Sequence, residues 1–370
     1  MRILLTGGGT GGHINPALAI ADIVKQREAN TQFLFAGTPF GMEADLIPKA
    51  GYEFTSINVH GFQRRISAEN IKRNIEAVSC LLSADIRAGK IIRNFKPDVV
   101  IGTGGYVSGP VVKKAAKLKI PTIIHESNAI PGLTTKILSK YVDKIMLTVP
   151  ESKEYFKKEN CVVTGLPVRN IFKAKTKKDA RKELGLDSNM TILSFGGSLG
   201  AGKINECMKD VIEWGNTLDI NFIHGYSGNG KNIFTPPVLS KLQNKKNIIS
   251  EYIYNMDVCL AAADLVICRS GASTLAEIEA VGRGSILIPS PIVANNHQYH
   301  NAKVIEKAGG AIVIEQADLT SSLLCSKIQN LFEQPHKLIA MGEKVHSLHI
   351  LDTEDRIYDV IKTLQLTMNN

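Results

Sequence analysis

A chain of 370 residues exceeds the size at which a single hydrophobic core keeps growing, so two domains are expected. Hydrophobic residues at 44% and charged residues at 21%, both spread along the chain, exclude a disordered or low-complexity protein. A formal net charge of +9 favours an acidic partner such as phosphate or anionic lipid, while the lack of a zinc finger, RNP motif or long basic run argues against nucleic acid.

The amino terminus passes from Arg2 through a few apolar or small residues into glycines, too short for a signal peptide, and no stretch approaches the roughly 18 apolar residues of a membrane span. Arg2-Ile-Leu-Leu-Thr-Gly reads as a short buried strand entering GGGTGG, and Pro16 to Val24 then has helical periodicity. Gly7-x-Gly9-x-x-Gly12 matches a dinucleotide fingerprint, but the next strand, Gln32 to Ala36, ends in Gly37-Thr38 and lacks the acid that holds ribose hydroxyls. A nicotinamide or flavin site is therefore rejected.

Further on, Pro97-Asp-Val-Val-Ile-Gly-Thr-Gly-Gly, a helix and Pro121-Thr-Ile-Ile-His form a second strand–helix–strand unit. After Gly165-Leu-Pro-Val-Arg the basic stretch Phe172 to Arg181 carries little core character, which sets a boundary near Thr164. The first plan then returns as Thr191-Ile-Leu-Ser-Phe, GGSLGAGK and the helix Ile204 to Ile212. The second returns as Asp264-Leu-Val-Ile-Cys-Arg-Ser-Gly, a helix and Ser285-Ile-Leu-Ile-Pro. Between them, Gly225 to Asn232 nearly spells a Walker A loop, yet Asn232 replaces the magnesium-binding hydroxyl and Pro236-Pro237 follows, so an ATPase is rejected.

Apolar strands alternating with helices predict an α/β protein of two doubly wound, Rossmann-like domains, 1–164 and 165–349, facing an interdomain cleft. The last segment, about 350–370, has helical spacing at Ile357, Val360, Ile361 and Leu364 and is expected to dock back on the first domain. Both glycine loops open helices, where bare amides and the positive dipole end suit phosphate. Tight strand–helix packing is the other use of such glycines. Six cysteines (Cys80, Cys161, Cys207, Cys259, Cys268, Cys325) without a CxxC pair suggest neither a zinc site nor disulfides. Without an Asp-x-Asp motif, no metal site is encoded and no cofactor is required, although a divalent metal could accompany a diphosphate substrate.

The ordered residues GGGTGGHxxPALA, GTGGYVSGP, HESNAIPG, GLPVR, FGGSLGA and CRSGASTLAEI resemble the MurG family, from Arg2 to about Ala317. The resemblance implies a GT-B glycosyltransferase fold. It also implies inverting transfer of N-acetylglucosamine from UDP-N-acetylglucosamine (UDP-GlcNAc) to the 4-hydroxyl of MurNAc in undecaprenyl-pyrophosphoryl-MurNAc-pentapeptide (lipid I). Thr10, Gly11 and Gly12 match the loop that approaches the sugar, and Asn128 the asparagine that contacts it. Arg169 and Ser198 match the diphosphate residues. Ile253 matches the residue whose backbone holds uracil, and Ala272, Ser273, Thr274, Leu275, Ala276 and Glu277 the nucleoside-binding helix start, with Glu277 on the ribose. Gln298 matches the glutamine on the sugar hydroxyls, although the loop Pro289 to Gln298 departs from the common pattern. Gly8, Gly9, Gly104, Gly105 and Tyr106 are expected on the acceptor side.

Chemistry adds reasons for two of these. A carboxylate such as Glu277 pairs naturally with ribose hydroxyls, and the guanidinium of Arg169 gives a diphosphate paired donors. Singly, they also read as a helix-capping glutamate and a surface arginine. Inverting transfer needs a base for the acceptor hydroxyl, and His13 at the end of the first loop is the candidate, with His125 and Glu126 next and Tyr106 positioning the acceptor. The lipid-linked acceptor that the resemblance implies is expected to hold the enzyme peripherally at the cytoplasmic face of the cell membrane, where the resemblance also allows cell-wall synthesis proteins as partners. Ile71, Ile75, Val78, Leu82 and Ile86 share one helical face flanked by Arg64, Arg65, Lys72, Arg73, Arg87 and Lys90, a pattern for an anionic membrane surface or for ordinary packing. Another GT-B glycosyltransferase with a lipid or small-molecule acceptor, or a UDP-GlcNAc epimerase, are the rival readings.

Overall fold

A computed structural model of the chain describes residues 1–59, 83–168, 172, 175–197, 200–243 and 247–367. Two compact units emerge, Met1–Pro167 with Ile350–Asn370, and Val168–His349, so the chain crosses over after Pro167, slightly beyond the expected Thr164.

The first unit is built on seven strands, β1 (Arg2–Gly7), β2 (Gln32–Gly37), β3 (Glu53–Ser56), β4 (Val99–Gly104), β5 (Thr122–Glu126), β6 (Lys144–Leu147) and β7 (Cys161–Val163). Its helices are α1 (Gly11–Arg27), α2 (Glu43–Lys49), a stretch over 83–95 (α3), α4 (Ser108–Lys117) and α5 (Leu133–Leu138). The strand order is β3-β2-β1-β4-β5-β6-β7, with every pairing parallel. Strands buried on both faces must be apolar at every position, and β1 divides its side chains accordingly: Ile3 and Leu5 enter one core with α1, Leu4 the other with α3 and α4.

The second unit repeats the plan with α6 (Lys177–Leu184), β8 (Met190–Phe195), α7 (Gly202–Gly215), β9 (Ile220–Gly225), α8 (Pro236–Leu242), β10 (Ile248–Ser250), α9 (Met256–Ala262), β11 (Leu265–Cys268), α10 (Ala272–Val281), β12 (Gly284–Leu287), α11 (His297–Ala308), β13 (Ala311–Val313), α12 (Ser321–Glu333) and α13 (Pro335–His346). Its parallel sheet runs β10-β9-β8-β11-β12-β13. Both orders reverse once, between β1 and β4 and between β8 and β11, and that is where doubly wound sheets open a crevice for ligands.

The final helix, α14 (Thr353–Thr367), belongs to the first unit. Ile357, Ile361 and Leu364 enter the core lined by α1, while Glu28 accepts hydrogen bonds from Tyr358 Oη and Lys362 Nζ, both at 2.7 Å.

Candidate functional site

In the first unit two loops meet at the strand-order reversal. The β1–α1 loop holds Gly8, Gly9 and Thr10 after Gly7, and the β4–α4 loop holds Gly105, Tyr106 and Val107 after Gly104. They touch backbone to backbone: the Gly8 amide donates to Gly104 O at 3.3 Å, and a Cβ on Gly105 would lie 2.3 Å from Gly8 O. Gly104 and Gly105 also have φ of +113° and +82°, so only glycine serves at both positions.

His13 stands at the third residue of α1, half-buried beside this contact. Its Nδ1–H donates to Gly8 O at 3.0 Å, with Thr10 Oγ1 3.4 Å away, and its backbone carbonyl accepts from Thr103 Oγ1 at 2.7 Å. Because a carbonyl only accepts, the proton of the neutral ring belongs on Nδ1, leaving Nε2 as a proton acceptor. Gly104 makes room for that edge, since a Cβ there would be 2.5 Å from His13 Cδ2. Tyr106, 57% exposed, stands on the same loop.

The other two candidates for the base have different surroundings. His125 is buried, and burial pushes its pKa down to about 4; its Nε2 lies 3.3 Å from Gly165 O. Glu126 is also buried and accepts from the Asn128 amide at 3.0 Å, Asn128 Nδ2 at 3.1 Å and the Gly132 amide at 3.1 Å. It thereby orients Asn128, a role not read from the sequence. Gly11 and Gly12 open α1 next to Thr10.

In the second unit the β8–α7 turn uses Gly197 (φ +86°) and Gly200 (φ +77°), the Gly200 amide donating to Gly197 O at 2.9 Å. Ser227 Oγ ties the same carbonyl to the β9 end at 3.1 Å. Residues 228–230 form one 3₁₀ turn, and α8 starts only at Pro236, so the Walker-like segment never becomes a loop-to-helix phosphate cradle. Ile253 packs on Gly225 at the end of β9.

Across the reversal, α10 begins at Ala272 after the N-cap Gly271, so the amides of Ala272, Ser273 and Thr274 lie in the first turn, where helices lack internal acceptors. The buried Ser273 Oγ has no hydrogen-bond partner among the described residues. Leu275 and Ala276 are buried, and Glu277 follows one turn along the helix. Gln298 is knitted into this end: its carbonyl accepts from Ser270 Oγ at 2.7 Å and its Oε1 from the Ser290 amide at 2.9 Å. Arg269 braces the β12–α11 loop by donating to Ile288 O and Pro289 O, each at 3.0 Å. Arg169 and Ser198 lie outside the described residues, as do Arg64, Arg65, Ile71, Lys72, Arg73, Ile75, Val78 and Leu82.

The site residues missed in the sequence are those that hold others: Thr103, Ser227, Arg269 and above all Glu43, which accepts the Gly9 amide at 3.0 Å. Glu43 occupies an amide that a phosphate would otherwise seek in the first loop.

The glycosyltransferase family 28 N-terminal domain matches residues 3–147, and the family's C-terminal domain matches residues 191–363. A UDP-N-acetylglucosamine--N-acetylmuramyl-(pentapeptide) pyrophosphoryl-undecaprenol N-acetylglucosamine transferase of Thermoanaerobacter sp. (strain X514) is 45% identical over 373 residues, covering 98% of this chain and 100% of the relative. One of the same name from Acetivibrio thermocellus is 42% identical over 367 residues, covering 98% of each. The crystal structure of Acinetobacter baumannii MurG superposes with a TM-score of 0.77 at 27% identity, covering 98% of this chain and 99% of that one. With two Rossmann-like units of the GT-B fold, both family domains in order and relatives similar from end to end, the chain belongs to glycosyltransferase family 28 and, within it, to the MurG family.

Proposed function

We propose that this enzyme transfers N-acetylglucosamine from UDP-GlcNAc to the 4-hydroxyl of MurNAc in lipid I, with inversion. The observation that carries the reading is the 45% identity, over almost all of both chains, to a transferase named for that donor and acceptor. His13 Nε2 takes the proton of the acceptor hydroxyl as its oxygen attacks the anomeric carbon. The bond from that carbon to the diphosphate breaks, and UDP departs with the electron pair. A single displacement turns the α-linked donor into a β-1,4 disaccharide. The anchoring of His13 Nδ1 on Gly8 O supports His13 as the base, and the burial of His125 and the three donors on Glu126 favour it over those two.

On the donor side, the reading gives the diphosphate to the Gly196–Gly200 turn with Arg169 and Ser198. Uracil goes to the Ile253 backbone, the ribose to Glu277 and the sugar to Gln298. The amides of a helix start and the unpartnered Ser273 hydroxyl support a polar ligand at α10. No metal is assigned a role, since the sequence lacks an acidic motif to bridge one to a diphosphate.

Attachment to the cytoplasmic membrane face is part of the same proposal. No helix among the described residues is long and apolar enough to cross a membrane. Ile86 is 71% exposed beside exposed Arg87 and Lys90, and Leu133, Ile137 and Tyr141 are exposed along α5 and just beyond it, with Lys113 Nζ 5.2 Å from the Tyr141 ring centre. Exposed apolar groups with basic side chains beside them suit an anionic lipid surface.

The test is incubation of the purified protein with UDP-GlcNAc and a lipid I analogue. Release of UDP with one disaccharide per UDP is expected. Turnover only with a non-muramyl acceptor, or conversion of UDP-GlcNAc with no acceptor, would instead identify a different transferase or an epimerase.

A further inference from the structure

Glu43, the first residue of α2, is 0% exposed. Its carboxylate is held by neutral donors: the Gly9 amide at 3.0 Å, the Thr38 amide at 3.0 Å and Thr38 Oγ1 at 2.6 Å. Three glycines, one after β1 and two at the end of β2 and in the turn that follows it, leave the space it fills. A Cβ on Gly8 would lie 2.3 Å from its Oε1, one on Gly41 2.3 Å from its Oε2, and one on Gly37 2.5 Å from its Cγ. Burial opposes the charge, but the Thr38 hydroxyl and the Gly9 and Thr38 amides outweigh it and hold the carboxyl below its ordinary pKa. The group is an anion at neutral pH, built into the base of the first glycine loop.

The amide that Glu43 accepts and the carbonyl that accepts from His13 are two ends of one peptide group. Gly9 N–H donates to Glu43 Oε2 at 3.0 Å, and Gly8 O, across the same C–N bond, receives the His13 Nδ1 proton at 3.0 Å. A peptide group is planar, so fixing its N–H fixes its C=O. An anion on the N–H end also draws the group's electrons toward oxygen and strengthens the bond that oxygen accepts.

We propose that Glu43 is a positioning residue for the transfer, acting on His13 through the single Gly8–Gly9 peptide as the carboxylate of an acid–histidine pair acts directly. The inference rests on the reading of His13 as the base. Glu43 keeps the proton on Nδ1 and Nε2 open, and its charge steadies the imidazolium that forms when Nε2 accepts the acceptor's proton. No proton reaches the carboxylate itself; the proton taken at Nε2 leaves to solvent after UDP departs.

The experiment pairs nitrogen-15 spectra of histidine-labelled protein with steady-state kinetics for the wild type and Glu43→Gln, the His13 signals being assigned with His13→Asn. The wild type is expected to show the Nδ1–H form of the neutral ring, and Glu43→Gln a mixture of both forms. The variant's kcat is expected to fall about 10- to 100-fold, the scale for misplacing a catalytic group, with KM for UDP-GlcNAc within about twofold. A wild-type ring protonated on Nε2 overturns the proposal with no variant needed, even if Glu43→Gln fails to fold. So does a folded Glu43→Gln protein with the wild-type tautomer or the wild-type kcat. The tautomer is read without any acceptor, so loss of the transferase reading, as when His13→Ala turns over normally, is seen separately from failure of the Glu43–His13 link.

Discussion

Among the described residues two histidines are buried, His125 in the first unit and His224 in the second, and both make the fold sensitive to mild acid. Burial pushes His125 to about 4 and His224 to about 3, whereas an unfolded histidine titrates near 6.5. Both rings are therefore neutral in the folded protein, and their contribution is fully present above pH of about 6.5. As pH falls from there toward the folded values, the unfolded chain takes up protons that the folded chain refuses, and stability drops by about 1.4 kcal/mol per pH unit for each ring. Urea unfolding at pH 7, 6 and 5 should show a falling midpoint for both units. An unchanged midpoint across that range would mean that these rings are charged in the fold or not buried. His224 is further constrained by its Nδ1 lying 2.8 Å from Ser194 Oγ in the core.

At the scale of elements, α14 shows how the first unit is completed by the far end of the chain. Ile361 is 0% exposed, in the same core as Ile14, Ile20 and Val24 of α1. Replacing it with alanine removes buried methylenes and leaves a cavity, a loss of about 2–5 kcal/mol. Ile361→Ala should therefore lower the unfolding midpoint of the first unit, and a loss below about 1 kcal/mol would show that α14 is not docked there in solution.

Much of this architecture is legible in the sequence because parallel strands covered on both faces are apolar throughout. Ile3-Leu4-Leu5 and Ile192-Leu193 announce themselves, and the glycines after them mark the turns into α1 and α7. The spacing at Ile357, Ile361 and Leu364 likewise shows one apolar face of α14. Glu43 could not be found in this way. An acid in the first turn of a helix looks like ordinary dipole pairing, and its burial depends on Gly8, Gly37 and Gly41, which only the folded β1 and β2 ends bring together. Glu126 reads locally as a candidate base, whereas its bonds to Asn128 and Gly132 arise from the curl of the chain after β5. The glycines of the first loop illustrate the same limit: their spacing suggests an anion site, and the anion at Gly9 is one the chain supplies itself.

For the whole molecule, the net charge of +9 and the apolar side chains exposed near Lys113, Lys136 and Lys140 belong together if the acceptor is reached at a lipid surface. Binding to phosphatidylglycerol vesicles should exceed binding to phosphatidylcholine vesicles and weaken as salt rises. A Leu133→Glu/Ile137→Glu protein should bind less, and equal binding of both proteins would remove α5 from the contact. In the transfer proposed here one imidazole, prepared by the glycine loops at the β1–β4 reversal, takes the proton of a lipid I hydroxyl while UDP leaves. The decisive measurement is the rate of β-1,4 disaccharide formation by wild type and His13→Ala at saturating UDP-GlcNAc and lipid I analogue. A fall of about 10²- to 10⁴-fold with unchanged affinity for UDP-GlcNAc is predicted, and equal rates in the two proteins would contradict it.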